Sequence, residues 1–295
     1  MRNKWMRPPL YSQSDARKLL RHLLDRDSFT EFLDPRRGII NPNLVALDVP
    51  VEFDDGVVVG EGALGGKGVY CAAQQGGFIG GAVGEVHGAK VTGLLERARE
   101  KRPAAVLLLI DSGGVRLHEA NAGLIAISEM IRALLDLRAA GIACLALVGA
   151  KEGAFGGMGV LARCCDHVIM NEHGRMGMSG PKVIQNVMGV EEFDAGDRAM
   201  IWRTYGGKHR YLVGEADRFV EDSIAGFRRA ALSLMDVPRP ITLESLRGEH
   251  RALASRLGRF GACRDSMEIW RALGIGRPEE VQGMETEEFL HLPRA

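Results

Sequence analysis

The sequence lacks the cysteine patterns of a metal-binding or disulfide-stabilised protein. Its 295 residues include only five cysteines, an odd number, and no two of them are spaced as Cys-x-x-Cys. A zinc site and a disulfide framework are therefore not expected, and we predict that the chain binds no metal. Thiols without a pairing pattern suit a reducing compartment. The cysteines are Cys71, Cys144, Cys164, Cys165 and Cys263.

The sequence also lacks net charge and long apolar runs. Lysine and arginine total 38, and aspartate and glutamate total 38, so no charge excess favours nucleic acid or an anionic membrane. No apolar run reaches membrane-spanning length, and Met1–Pro9 is polar and basic without an apolar signal core. We therefore predict a cytoplasmic protein with neither a nucleic-acid nor a membrane partner.

The chain is rich in glycine, and its predicted strands and helices alternate. Many of its 38 glycines lie between Gly56 and Gly93, where tight turns and close backbone approaches are expected. Beyond that segment, apolar runs alternate with stretches of three- and four-residue periodicity, which predicts an α/β fold with right-handed crossovers. The predicted helices are 16–24, 85–101, one that begins near 124 and is closed by Gly141, and 155–165; the predicted strands are 44–49, 57–59, 69–73, 104–111, 142–148 and 167–170.

One of these strands runs directly into Asp111-Ser112-Gly113-Gly114. Five apolar residues, Val106–Ile110, predict a strand that is buried on both faces. Two glycines just past its end leave backbone N–H groups unshielded by side chains, an arrangement that can hold an oxyanion. The same pair could equally form a tight turn between a strand and a helix, and this loop alone leaves both interpretations open.

A second loop, Val148–Gly159, has the same pattern. Its sequence VGAKEGAFGGMG places glycines between a buried strand and a helix of small residues. Two such loops at neighbouring strand ends can direct N–H donors to one oxygen atom, and the helix N-termini behind them add positive potential. The two loops together favour stabilisation of an enolate or a tetrahedral oxyanion. The GxGxxG pattern of Gly60–Gly65 is followed by a strand-like segment instead of a helix, so we predict a β-turn there and no dinucleotide site.

Four segments in order resemble the carboxyltransferase branch of the crotonase superfamily, and within it most closely the malonate decarboxylase β subunits. They are Gly80–Lys90, Asp111–Arg116, Val148–Gly159 and Gly174–Lys182. The resemblance implies a crotonase-like ββα spiral over residues 41–240. It leaves a helical N-terminal lead-in over residues 1–40 and a C-terminal helical extension over residues 241–295.

The chain departs from two relatives of that family. Acetyl-CoA carboxylase β subunits usually begin with a four-cysteine zinc ribbon, whereas residues 1–40 contain no cysteine. Clp-type proteases need a nucleophilic serine in the second loop, where this chain has Gly156-Gly157. The resemblance therefore favours malonate decarboxylase over the carboxylase, and peptidase activity is not expected.

The resemblance implies decarboxylation of a malonyl thioester to an acetyl thioester, through an enolate held in a backbone oxyanion hole. The malonyl group is expected on a coenzyme-A-like phosphopantetheine arm of an acyl carrier protein, with no cofactor bound by the chain itself. The implied partners are a homologous γ subunit that shares the active site, the acyl carrier protein and acyl-carrier transferase subunits. A biotin-dependent carboxyltransferase β subunit of the acetyl-CoA carboxylase type is the alternative, because both reactions pass through the same enolate.

The site residues come from the same motifs. The predicted catalytic residues, which supply backbone N–H groups, are Gly113, Gly114, Gly156 and Gly157. The predicted substrate-binding residues are Gly80, Gly81, Ser112, Arg116 and Ser179. Arg116 could instead fix its loop through a carboxylate, and Ser112 is interpreted as part of the loop and not as a nucleophile.

Three features stay open at this point. The proton for the enolate could come from water, from the partner subunit or from a polar side chain within or beside the motifs. The candidate side chains are His87, His118, Glu119 and Ser179. For each of them, shaping a loop by hydrogen bonds is the favoured role. The cluster Lys208-His209-Arg210 could meet a phosphate of the arm, but a solvated turn is favoured. The leucines of Thr242–Leu257 lie on one face of a predicted helix. We expect this face to pack within the chain; packing on a partner is the alternative.

Overall fold

The computed structural model describes residues 9–295, so the prediction for Met1–Pro9 falls outside the described residues except at Pro9. The strands are β1 Thr30–Glu31, β2 Val57–Leu64, β3 Lys67–Gln74, β4 Ala105–Ile110, β5 Ala143–Val148, β6 Ala154–Phe155, β7 His167–Met170, β8 Met176–Gly177 and β9 Arg218–Phe219. The α-helices are α1 Ala16–Leu23, α2 Pro42–Ala46, α3 Glu85–Lys101, α4 Ala122–Ala139, α5 Gly157–Cys164, α6 Pro181–Met188, α7 Arg198–Tyr205, α8 Gly207–Leu212, α9 Ile224–Leu234, α10 Leu243–Phe260, α11 Ser266–Ala272 and α12 Thr286–Phe289.

Seven strands form one sheet in the order β1-β2-β3-β4-β5-β7-β9. The first two pairings are antiparallel, and every pairing from β3 onward is parallel. Because parallel strands need helical crossovers that cover both faces of the sheet, β4 and β5 are buried along their whole length. The carboxyl ends of β4 and β5 consequently lie side by side at one edge of the sheet.

A short strand or bridging residue follows each of the parallel strands β3, β4, β5 and β7. β6 pairs with β8, and single parallel bridges join Val83 to Val115 and Ser112 to Ala154. A helix then follows each short segment. The repeat is therefore long strand, short strand and helix, which is the ββα repeat that the sequence resemblance implies.

The core lies on both faces of the main sheet. Alternate residues of β4 face opposite layers: Val106, Leu108 and Ile110 pack with α3, α4 and α5, whereas the other three residues pack with α1 and α9. A separate cluster joins the C-terminal helices to α8 and β9. This cluster contains Leu212, Phe219, Phe260, Trp270, Leu273, Ile275, Val281 and Phe289.

Most predicted elements are confirmed, with bounds shifted by a few residues. Helix α3 has the predicted bounds, and α1 begins after Asp15, whose side chain accepts from the Lys18 N–H. The predicted strand 44–49 is wrong: Asn41 caps a short helix that Pro42 begins, so α2 occupies this segment. The residues 1–40 that were predicted to be helical also contribute β1 to the sheet.

Two further expectations are corrected. The β-turn predicted for the GxGxxG segment Gly60–Gly65 begins only at its last residue: β2 continues to Leu64, and the turn lies at Gly65-Gly66. The leucine stripe of α10 does not pack within the chain: its members are exposed, Leu257 to 72%. A helical periodicity identifies an apolar face but not what covers it, which is why this expectation was wrong.

Over residues 9–295, no helix is long and apolar enough to cross a membrane. Within the same range, no group of three His, Cys, Asp or Glu side chains is arranged to hold a metal ion.

Candidate active site

The two glycine loops meet at the edge where β4 and β5 end. Ser112 donates its N–H to the Gly153 carbonyl at 2.6 Å, and its own carbonyl accepts from the Phe155 N–H at 3.0 Å. A methyl group built on Gly156 would lie 3.5 Å from the Cα atom of Gly114. The backbones of the two loops are thus in direct contact, as expected from their places in the sequence.

The backbone N–H groups of these loops are largely paired. Gly113 donates to the Gly80 carbonyl at 2.9 Å, and Gly156 donates to the Met178 carbonyl at 3.1 Å. Gly114 makes a longer contact of 3.2 Å with the Ser112 hydroxyl oxygen. The expectation that the N–H groups of Gly113 and Gly114 are free is therefore corrected, because the loop folds back onto Gly80 and onto its own serine.

One N–H group of the four predicted glycines remains without a partner. No residue in the range 9–295 accepts a hydrogen bond from the N–H of Gly157, the first residue of α5. The first N–H groups of a helix have no acceptor within the helix, and the helix dipole adds positive potential there. Gly156, which precedes α5, has no side chain that could cap this end. The N-terminus of α5 is consequently open toward the neighbouring loop.

Glycine is required at the centre of the site for steric reasons. Gly156 has φ +58° and ψ −134°, and Gly114 has φ +132°, conformations in which a side chain is strained. Gly81 approaches the first loop so closely that a methyl group would overlap the Asp111 carbonyl oxygen. Gly80 and Gly81 thus pack against the backbone of the first loop.

Ser112 and Arg116 are both buried. The Ser112 hydroxyl donates to the Gly114 carbonyl and accepts from the Gly114 N–H, each at 3.2 Å. The Arg116 side chain is 0% exposed. The predicted substrate contacts of these two residues are corrected: both side chains bind their own chain, and the alternative role of Arg116, fixing the loop through a carboxylate, is the one observed.

Arg116 holds two buried carboxylates at the N-terminus of α3. Its Nη1 atom donates to both oxygens of Asp55, at 2.8 and 2.9 Å, and to Glu119 Oε1 at 3.0 Å. Asp55 in turn accepts from the His87 N–H, and Glu119 accepts from the Glu85 N–H, each at 2.8 Å. The guanidinium group thereby keeps two anions at the positive end of a 17-residue helix.

The four predicted proton sources separate into buried and exposed pairs. His87 is fully buried beside Gln74, and burial holds its pKa well below the usual range, so it is neutral. Glu119 belongs to the Arg116 cluster. His118 and Ser179 are exposed, and Ser179 borders a cavity beside α5. The structure therefore assigns the loop-shaping role to the buried pair.

Asp111 is a titratable residue of the site that the sequence interpretation did not single out. Its Oδ1 atom accepts from the N–H groups of Glu152 and Gly153, at 2.6 and 3.2 Å, and so ties the first loop to the second. Burial raises the pKa of Asp111 to about 6. Asp111 is the first polar residue after a buried strand, and this position in the sequence could have identified it as a site residue.

A ββα spiral with two glycine loops in contact at adjoining strand ends defines the crotonase-like fold class. The model of the carboxyl transferase domain family matches residues 12–200, and the chain belongs to this family.

Three similar proteins are informative. The malonyl-S-ACP:biotin-protein carboxyltransferase of Malonomonas rubra is 36% identical over 97% of this chain and 97% of its own length. The acetyl-coenzyme A carboxylase carboxyl transferase subunit beta of Desulforamulus reducens is 29% identical, over 65% of this chain and 68% of its own. In a crystal structure of a Pseudomonas malonate decarboxylase hetero-tetramer in complex with malonate, one chain is 36% identical with a TM-score of 0.83. The match covers 90% of this chain and 97% of that one. These similarities confirm the predicted fold.

Proposed function

We propose that this chain is the β subunit of a malonate decarboxylase, which converts a malonyl thioester into an acetyl thioester and carbon dioxide. The carbon–carbon bond to the carboxylate breaks, and its electron pair moves onto the thioester, so that negative charge develops on the thioester oxygen. A proton then adds to the enolate carbon. The chain's part is to hold the oxygen while that charge is present.

The observation that carries this proposal is similarity along the whole chain. The relative from Malonomonas rubra, named for its action on malonyl-S-ACP, matches over 97% of both chains, whereas the acetyl-coenzyme A carboxylase subunit matches over 65% of this one. The structural match to malonate decarboxylase covers 97% of that chain. Malonyl thioester chemistry is therefore favoured over acetyl-coenzyme A carboxylation.

The geometry of the loops supports a particular pair of donors. Of the predicted catalytic glycines, Gly157 has an N–H without an acceptor among the described residues, and Gly114 has one held only by the 3.2 Å contact to Ser112. A thioester oxygen between them would accept from both loops. Gly113 and Gly156, whose N–H groups bind carbonyls, would keep the loops in place and leave room for the substrate. Losing one oxyanion donor typically costs on the order of 10²–10³ in rate.

A second candidate function is transfer of the carboxyl group to a biotin protein. The Malonomonas rubra relative is named for this reaction, and it is as similar in identity as the Pseudomonas malonate decarboxylase. Both reactions need the same enolate. They differ in the acceptor of the carboxyl group, which this chain's glycine loops do not determine.

A partner subunit would cover the apolar surface around the glycine loops. Helix α6 has no buried residue, although it carries four large apolar side chains, three of them exposed. Met178, just before this helix, supplies the carbonyl that accepts from Gly156. Large apolar side chains exposed in such number are typical of an interface. Its exposed residues are Leu117, Leu124, Ile125, Met178, Val183, Val187, Met188 and Val190, with Leu117 84% exposed. The hetero-tetramer of the Pseudomonas relative is consistent with a partner of this kind.

The decisive experiment is to purify the chain with its partner subunit and supply a malonyl thioester, either on an acyl carrier protein or as malonyl-coenzyme A. Release of carbon dioxide without biotin would support the decarboxylase. Strict dependence on a biotin protein would instead establish the second candidate. The chain alone is expected to be nearly inactive, and full activity of the isolated chain would contradict a shared site.

The variant Gly113→Val tests the position of the substrate. Gly113 is exposed, and a methyl group there would approach only the Gly80 carbonyl, at an ordinary 3.5 Å, so folding is preserved. The added side chain would occupy the space in front of the loop and displace the substrate, and a misplacement of about 1 Å costs on the order of 10² in kcat/KM. Gly93→Val, at an exposed glycine on α3 with open space around it, is the matched control. Near wild-type turnover by Gly113→Val would refute the placement of the substrate in front of this loop.

A further inference from the structure

The Lys208-His209-Arg210 cluster contains a buried histidine with a purely structural contact. His209 is buried, and its Nδ1 atom accepts from Trp270 Nε1 at 3.2 Å. Lys208 is buried as well, and its Nζ atom donates to three backbone carbonyls of residues 281–284, at 2.6–3.1 Å. The favoured solvated turn is therefore wrong for both residues. The other histidine that is buried beside a side-chain partner, His87, contacts the glycine-loop region instead.

Gln74, the last residue of β3, extends the contact between β3 and β4 with its side chain. The parallel pairing of these two strands ends at Ala73 and Leu109. Two residues further along β4, the Asp111 N–H donates to Gln74 Oε1 at 3.2 Å. The buried carboxamide thus takes the place of a backbone acceptor at the point where β4 enters the first glycine loop, Asp111–Gly114.

The contacts of Gln74 fix the orientation of its carboxamide. Because the oxygen faces the Asp111 N–H, the Nε2 atom faces His87 Nε2, at 3.0 Å. A reversed carboxamide would set two N–H donors against each other at Asp111. Gln74 Nε2 therefore donates and His87 Nε2 accepts, which places the proton of the neutral imidazole on Nδ1. Within residues 9–295, that buried Nδ1 atom has no partner, so the ring makes its one polar contact with Gln74.

The residue that Gln74 holds joins the two glycine loops. The Asp111 carboxylate accepts from two N–H groups of the second loop. A methyl group on Gly76, two residues after Gln74, would overlap the same carboxylate, so the chain that leaves β3 packs directly against it. Asp111 is consequently fixed from β3 on one side and from the second loop on the other. A shift of Asp111 would move the first glycine loop relative to the second.

His87 is also connected to the end of the same motif. Its backbone N–H donates to Asp55 Oδ2 at 2.8 Å, and Asp55 binds the Arg116 guanidinium group. Through one intermediate residue in each case, His87 is therefore linked to Asp111, where the loop begins, and to Arg116, two residues after it ends. A single buried residue of α3 thus couples the two ends of the motif.

We infer that Gln74 is a positioning residue, which holds the start of the first glycine loop, and that His87 keeps the Gln74 carboxamide in the orientation that this contact requires. This inference rests on the proposed function. Neither side chain needs to touch the substrate. Their effect is to keep the Gly114 N–H in place relative to the Gly157 N–H on the second loop. A misplacement of about 1 Å in such a site costs on the order of 10² in rate.

Kinetics of the complex with its partner subunit test the positioning role, with malonyl-coenzyme A as substrate. Gln74→Leu removes the acceptor at similar volume and should lower kcat on the order of 10², with KM within about twofold of wild type. Gln74→Glu keeps an acceptor oxygen for Asp111 and should recover most of that loss. His87→Leu should lower kcat about fivefold, because one hydrogen bond to the carboxamide is lost. Adding it to Gln74→Leu should cause no further loss, whereas losses that multiply would overturn the link between the two side chains.

Hydrogen exchange of the Asp111 amide separates this inference from the proposed function, because it needs no turnover. In the same complex, this amide should exchange at least about fivefold faster in Gln74→Leu and in His87→Leu than in the wild type. His209→Leu is the matched control: it should lower Tm by leaving the Trp270 N–H without its acceptor, and leave the exchange at Asp111 unchanged. His87→Leu keeps Gln74 in the chain, so it tests the same contact even if Gln74→Leu does not fold. A wild-type exchange rate at Asp111 in either folded variant would overturn the inference, whether or not the complex decarboxylates a malonyl thioester.

Discussion

The substitution Arg116→Met tests whether this arginine holds the site together or binds substrate. The guanidinium group makes three contacts of 2.8–3.0 Å to the carboxylates of Asp55 and Glu119, and a fourth of 2.8 Å to the Asp55 backbone carbonyl. All three side chains are at most 1% exposed. Methionine would fill much of the same volume but leave two buried carboxylates without a cation.

The expected loss of stability is large for this reason. Removing one partner of a buried ion pair costs about 3–5 kcal/mol, because the remaining charge stays in a medium of low polarity. For a chain of this size, about 2–4 °C of Tm corresponds to each kcal/mol, so Tm should fall by roughly 10 °C. The triple variant Arg116→Met, Asp55→Asn, Glu119→Gln should recover part of the loss, since it removes the orphaned charges as well.

Thermal unfolding of the complex, with kinetics measured well below Tm, provides the assay. Arg132 is the matched control: it also binds three carboxylates, those of Glu96, Glu129 and Asp136, but in solvent. Arg132→Met should leave Tm nearly unchanged, because exposed ion pairs contribute little. A Tm of Arg116→Met within about 2 °C of wild type, together with a raised KM, would refute the structural role and restore the predicted substrate contact.

Three further predictions follow from the same site. Ser112→Ala should retain activity within about threefold of wild type, because the hydroxyl binds only its own loop; a loss of 10³ in kcat would indicate a nucleophile. Because burial raises the pKa of Asp111 to about 6, the folded chain between about pH 4 and 6 holds a proton that the unfolded chain has lost. In urea unfolding, the stability of the wild type relative to Asp111→Asn should therefore fall as pH rises through this window, by up to about 3 kcal/mol; parallel pH profiles of the two proteins would contradict the assignment. Val187→Asp, at a side chain 77% exposed on α6, should weaken association with the partner while leaving Tm of the isolated chain unchanged, and sedimentation that shows an intact complex would exclude this surface.

The elements that carry the site could be predicted because their signals are local. The unbroken apolar run Val106–Ile110 is typical of a central parallel strand, and a glycine pair follows β4 after two residues and β5 after seven. Adjacent strand order then brings the two loops together. The residues that determine each strand and its glycine loop lie within about 15 positions of one another. The order of the motifs along the chain then indicates which loops are neighbours.

The pairing of the N–H groups could not be predicted in the same way. The acceptor for Gly113 is the carbonyl of Gly80, 33 positions earlier, and the acceptor for Gly156 is that of Met178, 22 positions later. Any residue offers the same carbonyl, so no residue type marks these acceptors. The carboxylate that fixes Arg116 is similarly remote, since Asp55 lies 61 positions before it. Such contacts depend on the complete path of the backbone.

The polar residues of the Asp-Ser-Gly-Gly-Val-Arg motif therefore have a common role that their chemistry alone does not suggest. Asp111 binds the N–H groups of Glu152 and Gly153 in the second loop. Ser112 closes its own loop, and Arg116 anchors the exit of the loop to the start of α3 through two carboxylates. Each of these side chains fixes backbone, and Gly113, which lies between them, is exposed. A site that stabilises charge with backbone N–H groups needs its polar side chains for positioning, because the donors themselves have no side chain with which to be held.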